Sequence, residues 1–346
     1  MNILEKSDSE LEFTPNYCCI ALLESCFFKC KMCYKWQTDI KLRDPQEPNV
    51  GQWKQFISDL DKNCKQKPQI NFAGGEPLAR EETLELMAFA SGLGFNTLLA
   101  TNAYLIDERI AKKIGQAKVH CVSISLDSMD PQIHDDLRGK QGSFKRVQEA
   151  ITLLDKYAPN STVDLCTLIS AVNLDGIVDL VKWVDSDERI NGVGFQAITQ
   201  PFSTPIEDKW HENPKYSFLW PKDISKVDAV LDRLIELRSS DELKNQNSIK
   251  TPVKQFSVYK HYFKNPENFL KKGPCHISVE ALNITPTGDV HLCFYKPAIG
   301  NIKDSNIKDI WFSEKARVVR SMIRTCTRNC QSLVNCNFEE SETYIE

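Results

Sequence analysis

Three cysteines crowd one short segment, Glu24-Ser25-Cys26-Phe27-Phe28-Lys29-Cys30-Lys31-Met32-Cys33-Tyr34-Lys35-Trp36, with three residues and then two between successive thiols. A cubane iron–sulfur cluster normally takes four thiolates. Three on so short a loop would hold three irons and leave the last one open to a ligand from outside the protein. An open coordination position is the arrangement of a catalytic metal rather than a structural one. Structural zinc or a set of reduced thiols are the plain alternatives. Zinc would want a fourth ligand close by, and the nearest His after the loop is His120.

A second group, Cys275, Cys293, Cys326, Cys330 and Cys336, occupies the last quarter of the chain. Two wholly Cys-ligated cubanes would need about eight thiolates, so this group favours one auxiliary cluster. A second cluster stays open only through an open iron or a non-Cys ligand. Spacing does not say which four ligate, and tetrahedral zinc suits the same donors. Cys18, Cys19, Cys64, Cys121 and Cys166 fall in strand or helix contexts, where packing is the default for a free thiol. Among them Cys166 is the candidate catalytic residue, as a hydrogen-atom donor. The six His lack metal-ligand spacing, and none reads as a general base.

The 346-residue chain is 41% hydrophobic and carries 43 Lys+Arg against 47 Asp+Glu. It can bury a large core, which excludes disorder, and no run of one charge marks a nucleic-acid surface. The opening MNILEKSDSELEFTPNY lacks the basic and apolar regions of a signal peptide, and no stretch approaches the roughly eighteen apolar residues of a membrane span. A cytoplasmic protein without nucleic-acid or membrane partners is expected. In that reducing compartment 13 Cys point to metal rather than to disulfides.

Elements that position the thiols are visible in the periodicity. Strand-like runs at 18–24, 69–74, 96–102, 119–127, 163–170 and 192–198 alternate with helical segments such as EETLELMAFASGLG, DERIAKKIGQA, SFKRVQEAITLLDKYA and LDGIVDLVKWVDS. This α/β pattern predicts a parallel sheet with right-handed crossovers, closing into a partial (β/α)6 TIM-like barrel. Reactive groups then gather at the C-terminal strand ends, and the Cys26 loop directly follows the first strand. A Pro- and aromatic-rich segment at 201–221 is expected to cover the substrate opening, with Trp210, Tyr216, Phe218 and Trp220 either facing substrate or packing. Helices are expected at 223–239, 253–271 and about 313–324, and Pro286-Thr287-Gly288-Asp289 reads as a hairpin turn. The chain is thus divided into a barrel at 1–210, a helical connection at 211–272 and a small Cys-rich α+β domain at 273–346.

The CxxxCxxC spacing at 26–33 matches the signature of the radical S-adenosylmethionine (SAM) superfamily, which the chain resembles from about residue 15 to its end. The resemblance implies that Cys26, Cys30 and Cys33 hold a [4Fe–4S] cluster whose open iron binds the amino and carboxylate groups of SAM. An electron, delivered by a flavodoxin- or ferredoxin-type low-potential donor, would then break a carbon–sulfur bond to give methionine and a 5′-deoxyadenosyl radical. Met32 resembles the adenine-contact position, where most members carry an aromatic. Phe72-Ala73-Gly74-Gly75-Glu76-Pro77 resembles the family's GGEP motif, so Gly74, Gly75 and Glu76 are implied to cradle the methionine amino group. A plain strand-to-helix turn is the alternative.

Asn102 and Ser125 resemble contacts to the ribose and carboxylate, although Ser123 and Ser125 equally suit a tight barrel interior. Ser123, Ser125 and Asp127 are expected on one strand face. Arg138, in the family-like stretch 134–144, is either structural or a carboxylate ligand, and Gln196 either faces the cofactor or substrate or, as the favoured reading, is a buried, hydrogen-bonded amide. The C-terminal Cys group resembles SPASM and twitch extensions, which bind auxiliary [4Fe–4S] clusters. A full SPASM domain has a further Cys where this chain has Glu340.

Such extensions imply an oxidoreductase that modifies a peptide or protein residue by crosslinking, oxidation or epimerisation. A sugar- or aminocyclitol-type small-molecule substrate is one alternative, and a non-catalytic iron–sulfur or zinc scaffold another. About seventeen residues before the first strand lead to the expectation of no leader-peptide-binding domain, which counts against a peptide without removing it.

Overall fold

A computed structural model of the chain describes residues 12–37, 46–268 and 275–336. All six expected strands form: β1 Tyr17–Leu23, β2 Gln69–Gly74, β3 Thr97–Thr101, β4 Cys121–Ser125, β5 Thr162–Ile169 and β6 Gly192–Ala197. They are parallel and neighbour one another in chain order. The crossovers carry α1 Val50–Asn63, α2 Glu82–Gly92, α3 Glu108–Gln116, α4 Pro131–Arg138, α5 Ser143–Tyr157 and α6 Ile177–Ser186. Helix α1 was not among the expected elements, although Asn49 and Gln52 form a reciprocal capping box at its start.

Period-two alternation gives the sheet two faces of different chemistry. Along β5, Val163, Leu165, Thr167 and Ile169 are buried, while Asp164, Cys166 and Leu168 stand half-exposed on the other face. The same alternation half-exposes Cys19, Asn71, Ser123 and Ser125, so the concave face is polar and accessible. Gln196 is exposed on β6 rather than buried as expected, because the barrel is open there. Asp127 lies beyond the end of β4 and is buried, unlike Ser123 and Ser125.

Openness follows from the strand order β6-β5-β4-β3-β2-β1-β7-β8-β9. Strands β1 and β6 do not pair; instead β7 Ala281–Ile284 runs parallel to β1, and β8 Asp289–His291 and β9 Gly300–Asn301 add antiparallel edges. The Cys-rich segment therefore continues the barrel sheet and covers an edge of β1 that would otherwise be free to pair. Its β7–β8 turn contains Gly288 at φ +86°, where a Cβ would meet Pro48 Cγ at 2.8 Å.

Helices α7 Ile224–Ser239 and α8 Val253–Lys264 pack together before this segment; α9 Ile277–Glu280, α10 Ile307–Trp311, α11 Glu314–Arg324 and α12 Gln331–Val334 lie within it. Helix α8 stops at Lys264, short of the expected 271, because Asn265 leaves helical geometry just before Pro266; residues 269–271 and Glu340 lie outside the described residues. Among the described residues no helix is long and apolar enough to cross a membrane.

The segment after β6 is anchored by aromatic rings. Trp210 stands edge-on to Trp220 with centroids 5.5 Å apart, and Trp220 packs on Tyr262 and Phe263 of α8. Trp210, Tyr216 and Trp220 are buried packing residues, whereas Phe218 is 44% exposed. Truncating Trp210 to Ala should cost about 3–5 kcal/mol in chemical denaturation. The Phe218→Ala change should stay within about 1 kcal/mol.

Candidate active site

The Cys26 loop leaves the C-terminal end of β1 and is held on three sides. From β2, Gly75 N donates to Leu23 O at 2.6 Å, and a Cβ on Gly75 would sit 1.7 Å from Ser25 O. Only Gly permits that approach, and Gly74 adds φ +115°. From α4, Leu137 O accepts Lys31 N at 2.9 Å. That helix ends on Gly139 at φ +59°, where a Cβ would lie 2.1 Å from Lys29 O. From the far side, Tyr34 N donates to Phe202 O at 2.8 Å, so the segment after β6 spans the gap between β6 and β1.

Cys26, Cys30 and Cys33 come within electrostatic reach of one another. Burial pushes Cys26 up to about 11 and Cys30 up to about 12, so both are neutral thiols at pH 7 when no metal is bound. Arg138 opposes that shift from a buried position beside them. Its Nε lies 2.7 Å from Asp127 Oδ2 as an ion pair. Burial works against the Arg138 charge, but Asp127 and Cys30 outweigh it and the guanidinium titrates above its ordinary range. Asp127 Oδ1 also accepts Leu168 N at 3.2 Å, its N–H donates to His134 Nδ1 at 3.2 Å, and its carbonyl accepts Asn173 Nδ2 at 2.7 Å. Cys166 sits opposite Ser125 in the β4–β5 register and feels both Arg138 and Asp127; burial pushes its thiol up to about 11. Cys30, Arg138, Cys166 and Ser125 thus form one neighbourhood at the ends of β4 and β5.

Glu76 also ties neighbouring strands together. Its buried carboxylate accepts Thr101 Oγ1 at 2.7 Å, Asn102 N at 2.9 Å and Leu78 N at 3.2 Å, tying the end of β2 to that of β3. Burial pushes it up to about 7 against those hydrogen bonds. Asn102 Oδ1 accepts Tyr104 N at 3.0 Å, and Met32 is buried with its carbonyl 3.4 Å from Phe202 N. Asp127 and Phe202 were the positioning residues that sequence reasoning missed. Asp127 gave only a strand-face signal, and Phe202 gave none.

Two observations suit an iron–sulfur cluster at this loop. Of the three adjacent thiols, Cys26 and Cys30 are desolvated, and bound iron would supply the positive charge that makes them thiolates. Ser25 Oγ, beside Cys26, is buried with no hydrogen-bond partner.

The second Cys group lies against the same end of the barrel. Cys293 is within electrostatic reach of Cys326 and Cys330, with burial raising Cys293 and Cys330 and Arg328 opposing. Cys336 Sγ faces Ser332 O at 3.4 Å, and Ser278 Oγ donates to Cys275 O at 3.2 Å. Asn335 Oδ1 accepts Ala197 N at 2.8 Å and its Nδ2 donates to Ala197 O at 3.0 Å, while Gln331 Oε1 accepts Gln200 N at 2.7 Å. Tyr259 of α8 is within electrostatic reach of both Cys166 and Cys336, and its hydroxyl donates to Phe195 O at 2.8 Å.

Residues 20–184 match the family model of the radical SAM superfamily, and residues 275–337 match that of SPASM, an iron–sulfur cluster-binding domain. The chain carries a radical SAM domain and, C-terminal to it, a SPASM domain. Its cofactors are accordingly SAM, a SAM-cleaving [4Fe–4S] cluster and auxiliary [4Fe–4S] iron. An AdoMet-dependent heme synthase of Methanosarcina barkeri is 26% identical over 273 residues, 74% of this chain and 71% of that protein. Another, from Oleidesulfovibrio alaskensis, is 33% identical over 262 residues, 70% of this chain but only 62% of that protein. The mycofactocin maturase MftC of Mycolicibacterium smegmatis is 30% identical over 133 residues, 38% of this chain and 33% of that one. Streptococcus suis SuiB bound to SAM superposes with a TM-score of 0.68 at 15% identity, covering 94% of this chain and 72% of that chain. This likeness carries the fold.

Two outcomes follow from the radical SAM site. Replacing Cys26, Cys30 and Cys33 together by Ala should remove about four irons per reconstituted chain by iron assay and leave the auxiliary iron in place. The second concerns pH. The Glu76 carboxyl, at 4.5 when unfolded and about 7 in the fold, makes stability fall as pH rises through that interval. His134 is pushed by burial from 6.5 down to about 4, so its contribution is lost as pH falls through that interval. The two slopes oppose. Between about pH 5 and 6.5, Glu76→Gln should leave a thermal midpoint that rises with pH, and His134→Gln one that falls.

Proposed function

We propose that this radical SAM enzyme abstracts a hydrogen atom from a residue of a peptide or protein, leading to a crosslinked, oxidised or epimerised product. The observation that carries this reading is the apolar frame of the opening. Phe202, Ile206 and Phe218 on the segment over the mouth, with Phe294 and Tyr295 on the auxiliary domain, are each between 39% and 65% exposed. Ile206 and Arg328 line one cleft, and Arg328 in turn lies 4.0 Å over the Tyr295 ring, which makes the two halves of the frame continuous. Exposed apolar side chains at a site suit a macromolecular substrate, whereas a small polar molecule calls for an enclosed pocket with a few placed polar groups. SuiB has the same fold and has been seen bound to its precursor peptide, SuiA.

In this reading Cys26, Cys30 and Cys33 hold the cluster, and Gly74, Gly75 and Glu76 fix the backbone around it. Met32, Asn102, Ser125 and Arg138 face SAM. Bound there, the cluster and SAM supply one-electron cleavage of SAM and with it a hydrogen-abstracting group. The aromatic-anchored segment excludes water from the concave face, and Cys166 returns a hydrogen atom where the product is an epimer. Four of Cys275, Cys293, Cys326, Cys330 and Cys336 hold the auxiliary cluster. Residues 1–210, 211–272 and 273–346 then serve as barrel, connection and auxiliary unit, and an external low-potential protein supplies the electron.

The 33% identity to an AdoMet-dependent heme synthase favours a second reading, a heme-like substrate. Anaerobic assays of the reconstituted enzyme with SAM, reductant and either peptide pools or porphyrins separate the two. Peptide-stimulated 5′-deoxyadenosine formation, with peptide products lacking two hydrogens or having an inverted residue, is expected. Stimulation by porphyrin alone would overturn the peptide reading. Phe202→Ser with Phe294→Ser should lower peptide turnover by about 10-fold while leaving substrate-free SAM cleavage intact.

A further inference from the structure

The fold brings two adjacent donors, His211 and Glu212, against a third that comes much later in the chain, Glu267. His211 and Glu212 sit in the short turn Trp210–Glu212, and Glu267 sits in the turn Pro266–Asn268 just after α8. One donor atom from each lies within 4.8 Å of the others. The two carboxylates are exposed, but the His211 side chain is only 10% exposed. Its ring is wedged between Trp210 and Trp220, at centroid distances of 6.2 and 5.1 Å. Its Nδ1 is buried with no hydrogen-bond partner, and its Nε2 points at Glu212 Oε1 from 4.0 Å, too far for a hydrogen bond. Nε2, the nitrogen that faces the carboxylates, has no hydrogen-bond partner among the described residues either, so its lone pair is open to a ligand.

We propose that His211, Glu212 and Glu267 bind a divalent cation that pins the segment over the barrel mouth to the connection leading into the auxiliary domain. One imidazole and two carboxylates form a donor set for a borderline to hard ion such as Mn2+, Fe2+ or Zn2+, with open positions filled by water. The exposed carboxylates have room to close from their present spacing onto an ion. Lys209 supplies the cation in its absence: its Nζ lies 3.2 Å from Glu267 Oε1 and 3.8 Å from Glu212 Oε1, and its side chain is 61% exposed and free to swing out. Lysine and metal therefore compete for the same two carboxylates. The staple would act at a junction. Asn329 of the auxiliary domain donates to Pro266 O at 3.0 Å, and Glu207, a few residues before His211, holds Asn213 Nδ2 at 2.7 Å.

Mn2+ titration of the cluster-loaded enzyme tests this, because its thiolates are already occupied by iron and oxidised [4Fe–4S] clusters are silent in electron paramagnetic resonance. Loss of the free Mn2+ signal should show one ion bound per chain. His211→Ala and Glu267→Gln should each weaken binding by about 10-fold or more. Lys209→Met should tighten it by about 5-fold, the reverse of what loss of a merely structural contact would do. No stoichiometric uptake, or equal affinity in wild type and Glu267→Gln, would overturn the site. Glu267 is exposed, so its variant keeps the test valid if His211→Ala fails to fold.

Discussion

The close backbone approach between Gly75 and Ser25 is the constraint on which the rest of the site depends. A side chain at Gly75 would overlap Ser25 O, so only Gly lets the end of β2 lie directly against the loop that carries Cys26, Cys30 and Cys33. Gly139 does the same for Lys29 at the end of α4. Between these contacts the thiols are set by main chain rather than by flexible side chains, as a cluster that must meet its cofactor within tenths of an ångström requires. Glu76 reinforces the arrangement from behind by joining β2 to β3.

Burial then sets the electrostatics. The loop is dry enough to keep Cys26 and Cys30 protonated in the absence of metal, so metal binding and deprotonation are coupled there. Arg138 is the fixed positive charge beside them, and its burial is tolerable only because Asp127 neutralises it at 2.7 Å. Asp127 is held in turn by β5 and by Asn173. One ion pair consequently links the loop, α4 and the end of β5, which bears Cys166 on its concave face.

The barrel's openness gives the auxiliary domain its place. Because β6 and β1 do not pair, one side of the gap is spanned by the segment that reaches Cys33 through Phe202, and the other edge of β1 is taken by β7. The SPASM domain is thus part of the barrel's sheet. Residues of and next to its α12 bind the main chain at Ala197 and Gln200, at and just past the end of β6, and Cys336 and Cys166 both lie within electrostatic reach of Tyr259. A substrate entering the mouth would meet the radical SAM loop and the auxiliary domain together.

Local sequence determined much of this. Period-two and helical periodicity placed six strands within one or two residues, the hairpin turn at Gly288 was legible from Pro-Thr-Gly-Asp, and Cys spacing marked both metal loops, because each signal lies within a dozen neighbouring residues. Tertiary structure decided what depends on contacts between distant segments. It paired β7 with β1, exposed Gln196 on an open face, turned Glu76 inward to Thr101, and set Asp127 against Arg138. His211 and Glu267 are the extreme case, since no spacing rule connects residues in different turns until the aromatic packing of Trp220 on α8 brings those turns together. Chain spacing thus singled out the cysteines proposed as cluster ligands, and packing across the fold chose the side chains that surround them.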